Sequence, residues 1–520
     1  LQKEELNHAG QAVGSRSTRL EREAKLDAPA GLHLAAIELG GGLACGSAAI
    51  KRHETVYYDS DDLRLVRNGA SLRYRTGEGW TVKIGREERG GGLFRQEHTI
   101  AGGREQVPFE ATDLVQALLR RAPLKEIASL RTVRRTVPVL ASEGQKLAEI
   151  VDDSVTVLRD GLPKQHFREL EVELSDIAPD ELLPRLVEML NAHGATLTDQ
   201  TPKVLRALGL AGNATVVERQ TPKRISSVDD LVLSFLRHGL DAIVSNDPGV
   251  RLGEDPECVH QARVATRRLR SDLRVFRPLL DRSWVDQLRG ELQWLGGALG
   301  AVRDDEVLLA RLHDRVVQLS AEDAETGDRL LDLLRTRLEE RRSELQIVLR
   351  SDRYIDLLDG LEDALKGPLP KAEAARPGLS ALPGLVRKPW RQLRRSVSSL
   401  PANPADSQLH AIRIQAKRCR YVAEAISPLV PRSARFAARC RELQDVLGEH
   451  QDSIVAQVWL REAGSRTSAR EGVVAGQLLA LEADAAAAAR ARWPKVWRRV
   501  LERRPATWLN KMRLKRAASK

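Results

Sequence analysis

Aromatic residues make up only 4 % of this 520-residue chain. Readers of single-stranded nucleic acid stack bases on aromatic platforms, so specific recognition of nucleic acid is not expected. Cysteine is rarer still: Cys45, Cys258, Cys419 and Cys440 stand far apart with no CxxC spacing. That pattern argues against a zinc knuckle or a disulfide framework and for a reducing cytoplasm. No uninterrupted apolar run approaches the roughly 20 residues of a membrane span, and the N-terminus lacks the charged-then-apolar layout of a secretory signal, so no membrane partner is expected. The chain begins at Leu1 rather than Met, and a few leading residues are expected before it.

Positive charge, in contrast, is in excess. A net charge of +11 calls for an anionic partner or a solubility role, and phosphate without bases fits both the charge and the shortage of aromatics. The length exceeds what one ordinary core organises, so two domains are expected.

Hydrophobic periodicity divides the chain. Through about residue 205 it alternates with period two, with strands predicted at 18–26, 72–75, 80–84, 94–100, 131–140, 147–158 and 166–174 and helices at 110–120 and 179–193. Many short strands imply a sandwich or a barrel. After a polar break at 212–226 the period becomes helical, and the remainder is predicted to be all-α. The organisation expected is an N-terminal tail (1–15), a β domain (16–211), a linker (212–226), a helical domain (227–505) and a basic C-terminal tail (506–520).

The β domain concentrates charge on strand faces. In TRLEREAKL at 18–26, Glu21, Glu23 and Lys25 share one face, and Leu20, Arg22, Ala24 and Leu26 the other. Adjacent carboxylates repel unless a cation sits between them, and a hard divalent ion is one remedy. A solvated strand face is the plain alternative. The pattern recurs late in the domain: FRELEVEL aligns Glu169, Glu171 and Glu173, and AEIVDD aligns Glu149, Val151 and Asp153. Basic strands lie between: Arg73 and Arg75 in LRYR, Lys83 in WTVKI, Arg95 beside Glu97 in FRQEHT, and Arg131 and Arg135 in RTVRR. A closed barrel could point both sets into one wet lumen. Tyr57, Tyr58 and Asp59 read as a turn and core packing.

The E-x-E-x-K strand, VYYDSDDLRL at 56–65, GASLRYR, TVKIG, RQE and the late acidic strand resemble, in order and spacing, the CYTH or triphosphate tunnel metalloenzyme superfamily over residues 16–210. The resemblance implies an antiparallel eight-stranded tunnel that binds a triphosphate with Mg²⁺ or Mn²⁺. It implies metal binding by Glu21, Glu23, Glu169 and Glu171, to which Asp153 is added by its face. Phosphate binding falls to Lys25, Arg73, Arg75, Lys83, Arg95 and Lys203, with Arg135 added likewise. Glu23 and Lys25 are the residues expected at the reacting phosphate.

The helical half contains a repeat. VHQARVATRRLR at 259–270 aligns without gaps to LHAIRIQAKRCR at 409–420, and LGAVRDDEVL at 299–308 to LGEHQDSIVA at 447–456. Two related bundles about a pseudo-twofold axis are expected. At about 100° per residue, His260, Arg263, Arg267, Arg270 and Arg274 lie within an arc of about 80°, opposite an apolar face. His410, Arg413, Lys417 and Arg420 repeat the stripe. Like charges three and four residues apart oppose a helix unless an anion neutralises them; a solvated face is again the alternative. The repeated H-x-x-R-x-x-x-[RK]-R-x-R pattern resembles the CHAD domain over 227–505, which implies binding of inorganic polyphosphate. Asp304 and Asp452 read either as partners of these arginines or as ordinary capping and salt-bridge residues.

The function expected is metal-dependent hydrolysis of inorganic triphosphate, or a related triphosphate, in a tunnel, with polyphosphate bound by the helical domain. The alternative is a non-catalytic polyphosphate-binding or granule-associated protein; a nucleotide cyclase and a nucleic-acid binder rank below it.

Overall fold

The computed structural model describes residues 16–369 and 382–501, apart from 30, 33, 35–38, 40, 41, 90, 91, 199, 200 and 211–224. The expected tails at 1–15 and 506–520, and the expected linker except residues 225 and 226, lie outside the described residues. The chain divides into two compact units, 1–220 and 221–520.

The first unit contains β1 (Arg16–Asp27), β2 (Leu43–Cys45), β3 (Ala49–Asp59), β4 (Ser71–Arg75), β5 (Gly79–Arg89), β6 (Gly92–Ile100), β7 (Lys125–Ala141), β8 (Lys146–Arg159), β9 (Leu162–Leu174) and β10 (Thr196–Leu197). Eight of them pair in the order β1-β6-β5-β4-β3-β7-β8-β9, and β9 returns to β1, so the antiparallel sheet closes into a barrel. β2 pairs with β7 and β10 with β1. The β8–β9 hairpin turns through Asp160 and Gly161, both at positive φ, the conformation that an Asp-Gly pair tolerates best.

An ordinary small barrel fills its interior with apolar side chains, and this one is built the other way round. Ala24, Leu26, Ile150, Leu170, Val172 and Leu174 face outward and pack with Leu183, Leu186 and Leu190 of the Leu182–Ala192 helix. The inward face is left to charged residues. Asp59, expected to serve a turn and packing, accepts from the backbone N–H groups of Ser60, Leu65 and Val66 and so caps the short Arg64–Arg67 helix.

In the second unit every described element with a regular hydrogen-bond pattern is helical. Its helices are Val228–Leu252, Pro256–Phe276, Arg282–Val316, Ala321–Arg350 and Asp352–Lys366, then Leu382–Ser398, Asp406–Ala425, Arg432–Gly464 and Ala469–Leu501, with a short 3₁₀ turn at Arg277–Leu279. Neighbours in sequence pack on one another in both halves. Equivalent helices also meet: Pro256–Phe276 packs on Asp406–Ala425, and Ala321–Arg350 on Ala469–Leu501, as a pseudo-twofold arrangement requires. Ala469–Leu501 is long and apolar enough by length and composition to cross a membrane. Here Val474, Ala475 and Leu478 pack in a helical core, and the wholly buried Glu482 pairs with Arg311 and Arg315.

Candidate functional site

Register dictates what the barrel interior contains, because residues opposite one another in an antiparallel pair share a face. Glu21 lies opposite Arg95, and on the other flank of β1 Glu23 lies opposite Glu173 and Lys25 opposite Glu171. Around the barrel, Lys83 faces Glu97, Arg73 faces Tyr57, Arg75 faces Thr55, and Asp153 lies between Glu169 and Arg134. All of these but Thr55, Asp153 and Glu169 line a cavity of about 180 Å³ with eight cationic side chains and six carboxylates on its wall. Lys203 enters from outside the strands, as the first residue of the Lys203–Ala207 helix.

The charges are interlocked. The Lys83 ammonium contacts Glu21 and lies 2.9 Å from Glu97. Arg95 bridges Glu21 at 3.0 Å and Glu23 at 2.6 Å. Lys25 contacts Glu171 and reaches Glu169 at 3.0 Å. Lys203 reaches Asp153 and Glu171, each at 2.7 Å, and Glu169 at 3.2 Å. Arg75 pairs with Glu78 at 2.9 Å, and Arg73 stands 3.9 Å from Glu97.

β7 has the opposite parity to the one expected. Arg135 is exposed, and Arg131 is exposed and bonds Glu54 on the outer surface. The inward cation is Arg134, whose guanidinium spans Asp153 at 2.9 and 2.7 Å and extends toward Glu171 and Glu173. All five carboxylates expected to hold a metal are paired with cations. Glu21 is held by Lys83 and Arg95, Glu23 by Arg95, Asp153 by Arg134 and Lys203, Glu169 by Lys25 and Lys203, and Glu171 by Lys25 and Lys203. The carboxylates that converge are Glu23, Glu171 and Glu173, one oxygen from each lying within 4.8 Å of the others. Glu173 shares a strand face with Glu169 and Glu171 and lies outside the expected metal set.

Electrostatics separate these acids. Burial, then the Glu171, Glu21 and Glu23 charges, push the Glu173 carboxyl up to about 7. Burial and the Glu21 charge also raise Glu23. Against the cost of burial, Lys83 and Arg95 hold Glu21 below the usual carboxylate range, and Lys203 and Lys25 do the same for Glu171. Three hard oxygen donors, two of them strained by mutual repulsion, suit a divalent cation. Tyr57, expected to be core, lines the lumen next to Arg73; despite its burial, the Arg73 and Lys203 charges lower its phenol.

The helical unit contrasts with this. Arg267 and Lys417 from the two repeats converge on the Tyr421 ring, at 6.0 and 5.9 Å from its centroid, with Arg420 at 4.8 Å. Arg263 donates to Asp304 at 2.7 Å and to the Gly300 carbonyl. In the second copy Arg413 lies against Gly448 in the equivalent place, and His410 bonds Gln451. Among the described residues no carboxylate lies within ion-pair distance of Arg267, Arg270, Arg274, Arg413 or Lys417. The Nε groups of Arg267 and Arg413 are buried with no acceptor, whereas Arg420 Nε lies 3.5 Å from a Glu424 carboxylate oxygen. Burial, and then Arg267 and Arg413, depress the Lys417 ammonium to about 7. His260 lies on the same face and is lowered by burial and Arg303.

A charged antiparallel tunnel followed by paired helical bundles defines the class, and the family models agree: the CYTH domain matches residues 20–229 and the CHAD domain residues 234–461. This chain is a CYTH domain fused to a CHAD domain. CYTH domains are triphosphate tunnel metalloenzymes that generally depend on Mg²⁺ or Mn²⁺. Two Mycobacterium tuberculosis proteins, MT2285 and Rv2226, are each 29 % identical over 466 residues, which is 83 % of this chain and 86 % of theirs. Among solved structures, PptA from Streptomyces chartreusis has a TM-score of 0.45 at 23 % identity, covering 52 % of this chain and all of its own. The CHAD domain from the plant Ricinus communis has a TM-score of 0.40 at 23 % identity, covering 58 % of this chain and 96 % of its own.

Proposed function

We propose that the tunnel hydrolyses inorganic triphosphate, or the triphosphate end of a short chain, and that the arginine stripes of the helical unit bind inorganic polyphosphate. The observation that carries the first part is a lumen in which Arg73, Arg75, Lys83 and Arg95 flank the convergent carboxylates Glu23, Glu171 and Glu173. Those carboxylates would hold Mg²⁺ or Mn²⁺, which when bound supplies charge neutralisation and a more acidic water.

The chain's own side chains supply the rest. The guanidinium groups of Arg73, Arg75 and Arg95 and the Lys83 ammonium bind phosphate oxygens and stabilise the charge that develops as the P–O bond breaks. Each must exchange a carboxylate partner for a phosphate, so binding rearranges pairs already made. Lys25 and Lys203 engage the acidic strand, and on this reading they hold Glu169 and Glu171 in place. On this reading Lys25 positions the acidic strand, and Glu23 is one of the carboxylates that would hold the metal. Arg134 orients Asp153 and borders Glu173.

The half-buried Arg267, Arg413 and Lys417, with no carboxylate in ion-pair range among the described residues, carry the second part. A cytoplasmic site of action fits both substrates. The test is phosphate release from a panel of inorganic triphosphate, nucleoside triphosphates and polyphosphate, with Mg²⁺ and Mn²⁺ in turn. Release from inorganic triphosphate that disappears in Glu23→Gln with Glu171→Gln supports the reading. Unchanged release in that double variant contradicts it.

A further inference from the structure

One cavity of the helical unit has features that a bare phosphate chain does not use. It lies between the Pro256–Phe276, Asp406–Ala425 and Leu382–Ser398 helices and measures about 560 Å³, within the range of about 300–1,000 Å³ typical of small-molecule sites. Among the described residues seven cationic side chains line it and no carboxylate does; Arg289, Lys388 and Arg418 add to those of the two stripes. Its other walls are apolar, formed by Val275, Leu385, Pro389, Ile414 and Val422 beside the Tyr421 ring.

Gln415 also lines the cavity. Its Nε2 donates to Ser396 Oγ at 2.9 Å, whereas its Oε1 is buried and accepts nothing. A buried acceptor of this kind needs a donor. Inorganic polyphosphate presents only acceptors along its chain and has no apolar surface, so it answers the cations and leaves both Gln415 Oε1 and the walls unmatched. A nucleoside polyphosphate carries phosphates, a flat base that packs on aliphatic side chains or guanidinium planes, and N–H and O–H donors.

We infer that this cavity is a nucleoside polyphosphate site, with the phosphates on the Arg270, Arg274 and Arg418 side, the base against Leu385, Ile414 and Val422, and a base or ribose donor on Gln415 Oε1. The site shares Arg267 and Lys417 with the polyphosphate stripe, so a nucleotide bound here would compete with the polymer.

The test is isothermal titration of the full chain, in chelator, with ATP and separately with inorganic triphosphate. A Cβ built at Gly384, on the cavity wall, meets no heavy atom within 4 Å, so Gly384→Phe puts a ring into the cavity with little cost to the helix. ATP is expected to bind at least about tenfold more tightly than inorganic triphosphate, and Gly384→Phe to abolish that preference. Gln415→Leu is expected to weaken ATP about five- to tenfold and to leave inorganic triphosphate unchanged. Both variants lie in the helical unit, so tunnel binding cancels from the comparison. Equal affinities for the two ligands, or a preference that survives Gly384→Phe, would overturn the proposal. So would geranyl diphosphate binding as tightly as ATP with no response to Gln415→Leu. Long-chain polyphosphate titrated in parallel separates the two readings. Polymer binding without an ATP preference refutes the cavity alone, and an ATP preference without polymer binding supports the cavity while refuting the stripe.

Discussion

The two halves of this chain solve the same electrostatic problem in opposite ways. In the tunnel, Lys25, Lys83, Arg95, Arg134 and Lys203 each pair with at least two carboxylates. In the helical unit, Arg267, Arg413 and Lys417 are gathered from two repeats with no carboxylate among the described residues in ion-pair range. A balanced interior is stable without ligand, and a ligand must compete with the protein's own acids. An unbalanced surface is strained without ligand, and an anion relieves it directly. The difference teaches that a high content of Lys and Arg says little about ligand readiness until their partners are known.

The sharpest way to break the comparison is to remove one cation from each half. Lys203→Met leaves Asp153 and Glu171 short of a buried counter-charge and should cost about 3–5 kcal/mol. Arg267→Met removes a cation that other cations repel and should leave stability unchanged or slightly higher. Urea unfolding of the two full-length variants checks this; similar losses in both would erase the distinction.

Charge reversal of Arg267, Arg413 and Lys417 to Glu should lower polyphosphate affinity by at least about a hundredfold and flatten its dependence on salt, by analogy with other phosphate polymers. Tunnel hydrolysis should persist. Fluorescence anisotropy with labelled polyphosphate at several salt concentrations, alongside phosphate release, measures both.

The parity of β7 gives the next contrast. Arg134→Ala should reduce triphosphate hydrolysis by about ten- to a hundredfold, because Asp153 and Glu173 lose the group that orients them, whereas Arg135→Ala should stay within about twofold. Initial rates at saturating metal distinguish the two.

The smallest expected effect is a pH dependence. The Lys417 ammonium sits at about 7 in the folded protein against 10.5 ordinarily. Below pH 7 it is charged with or without ligand, and affinity should be flat. A polyanion raises its pKa, so above 7 binding takes up a proton and affinity should fall, by about fivefold between pH 7 and 8. The same depression means that Lys417 lowers stability fully below pH 7, and that this penalty disappears as pH rises from 7 to 10.5. Lys417→Arg, charged throughout, should remove the slope from titrations across pH 6.5–9.

Much of this was legible in the chain. Period-two alternation placed Glu21, Glu23 and Lys25 on one face and Glu169, Glu171 and Glu173 on another, and both faces do point inward. The repeat of His260 to Arg270 over His410 to Arg420 anticipated two helices that pack on each other. β3 escaped notice because its first half, Ala49–Arg52, is exposed and carries no apolar alternation. β7 was misread because RTVRR has arginines on both faces, and only pairing with Asp153 or Glu54 distinguishes them. The convergence of Glu173 with Glu23 and Glu171 depends on β9 returning to β1, a tertiary closure that no local pattern encodes.

The account's central claim is that the tunnel needs a divalent ion to open its own charge network and the arginine stripe needs none. The most direct measurement is equilibrium binding of inorganic triphosphate and of long-chain polyphosphate to the full chain, first in chelator and then with Mg²⁺ or Mn²⁺, using the Arg267, Arg413 and Lys417 reversal to isolate the tunnel. The account predicts polyphosphate binding that is already strong in chelator, and triphosphate binding to the tunnel that strengthens by at least about a hundredfold when metal is added. Polyphosphate binding that vanishes in chelator, or tunnel binding indifferent to metal, would contradict it.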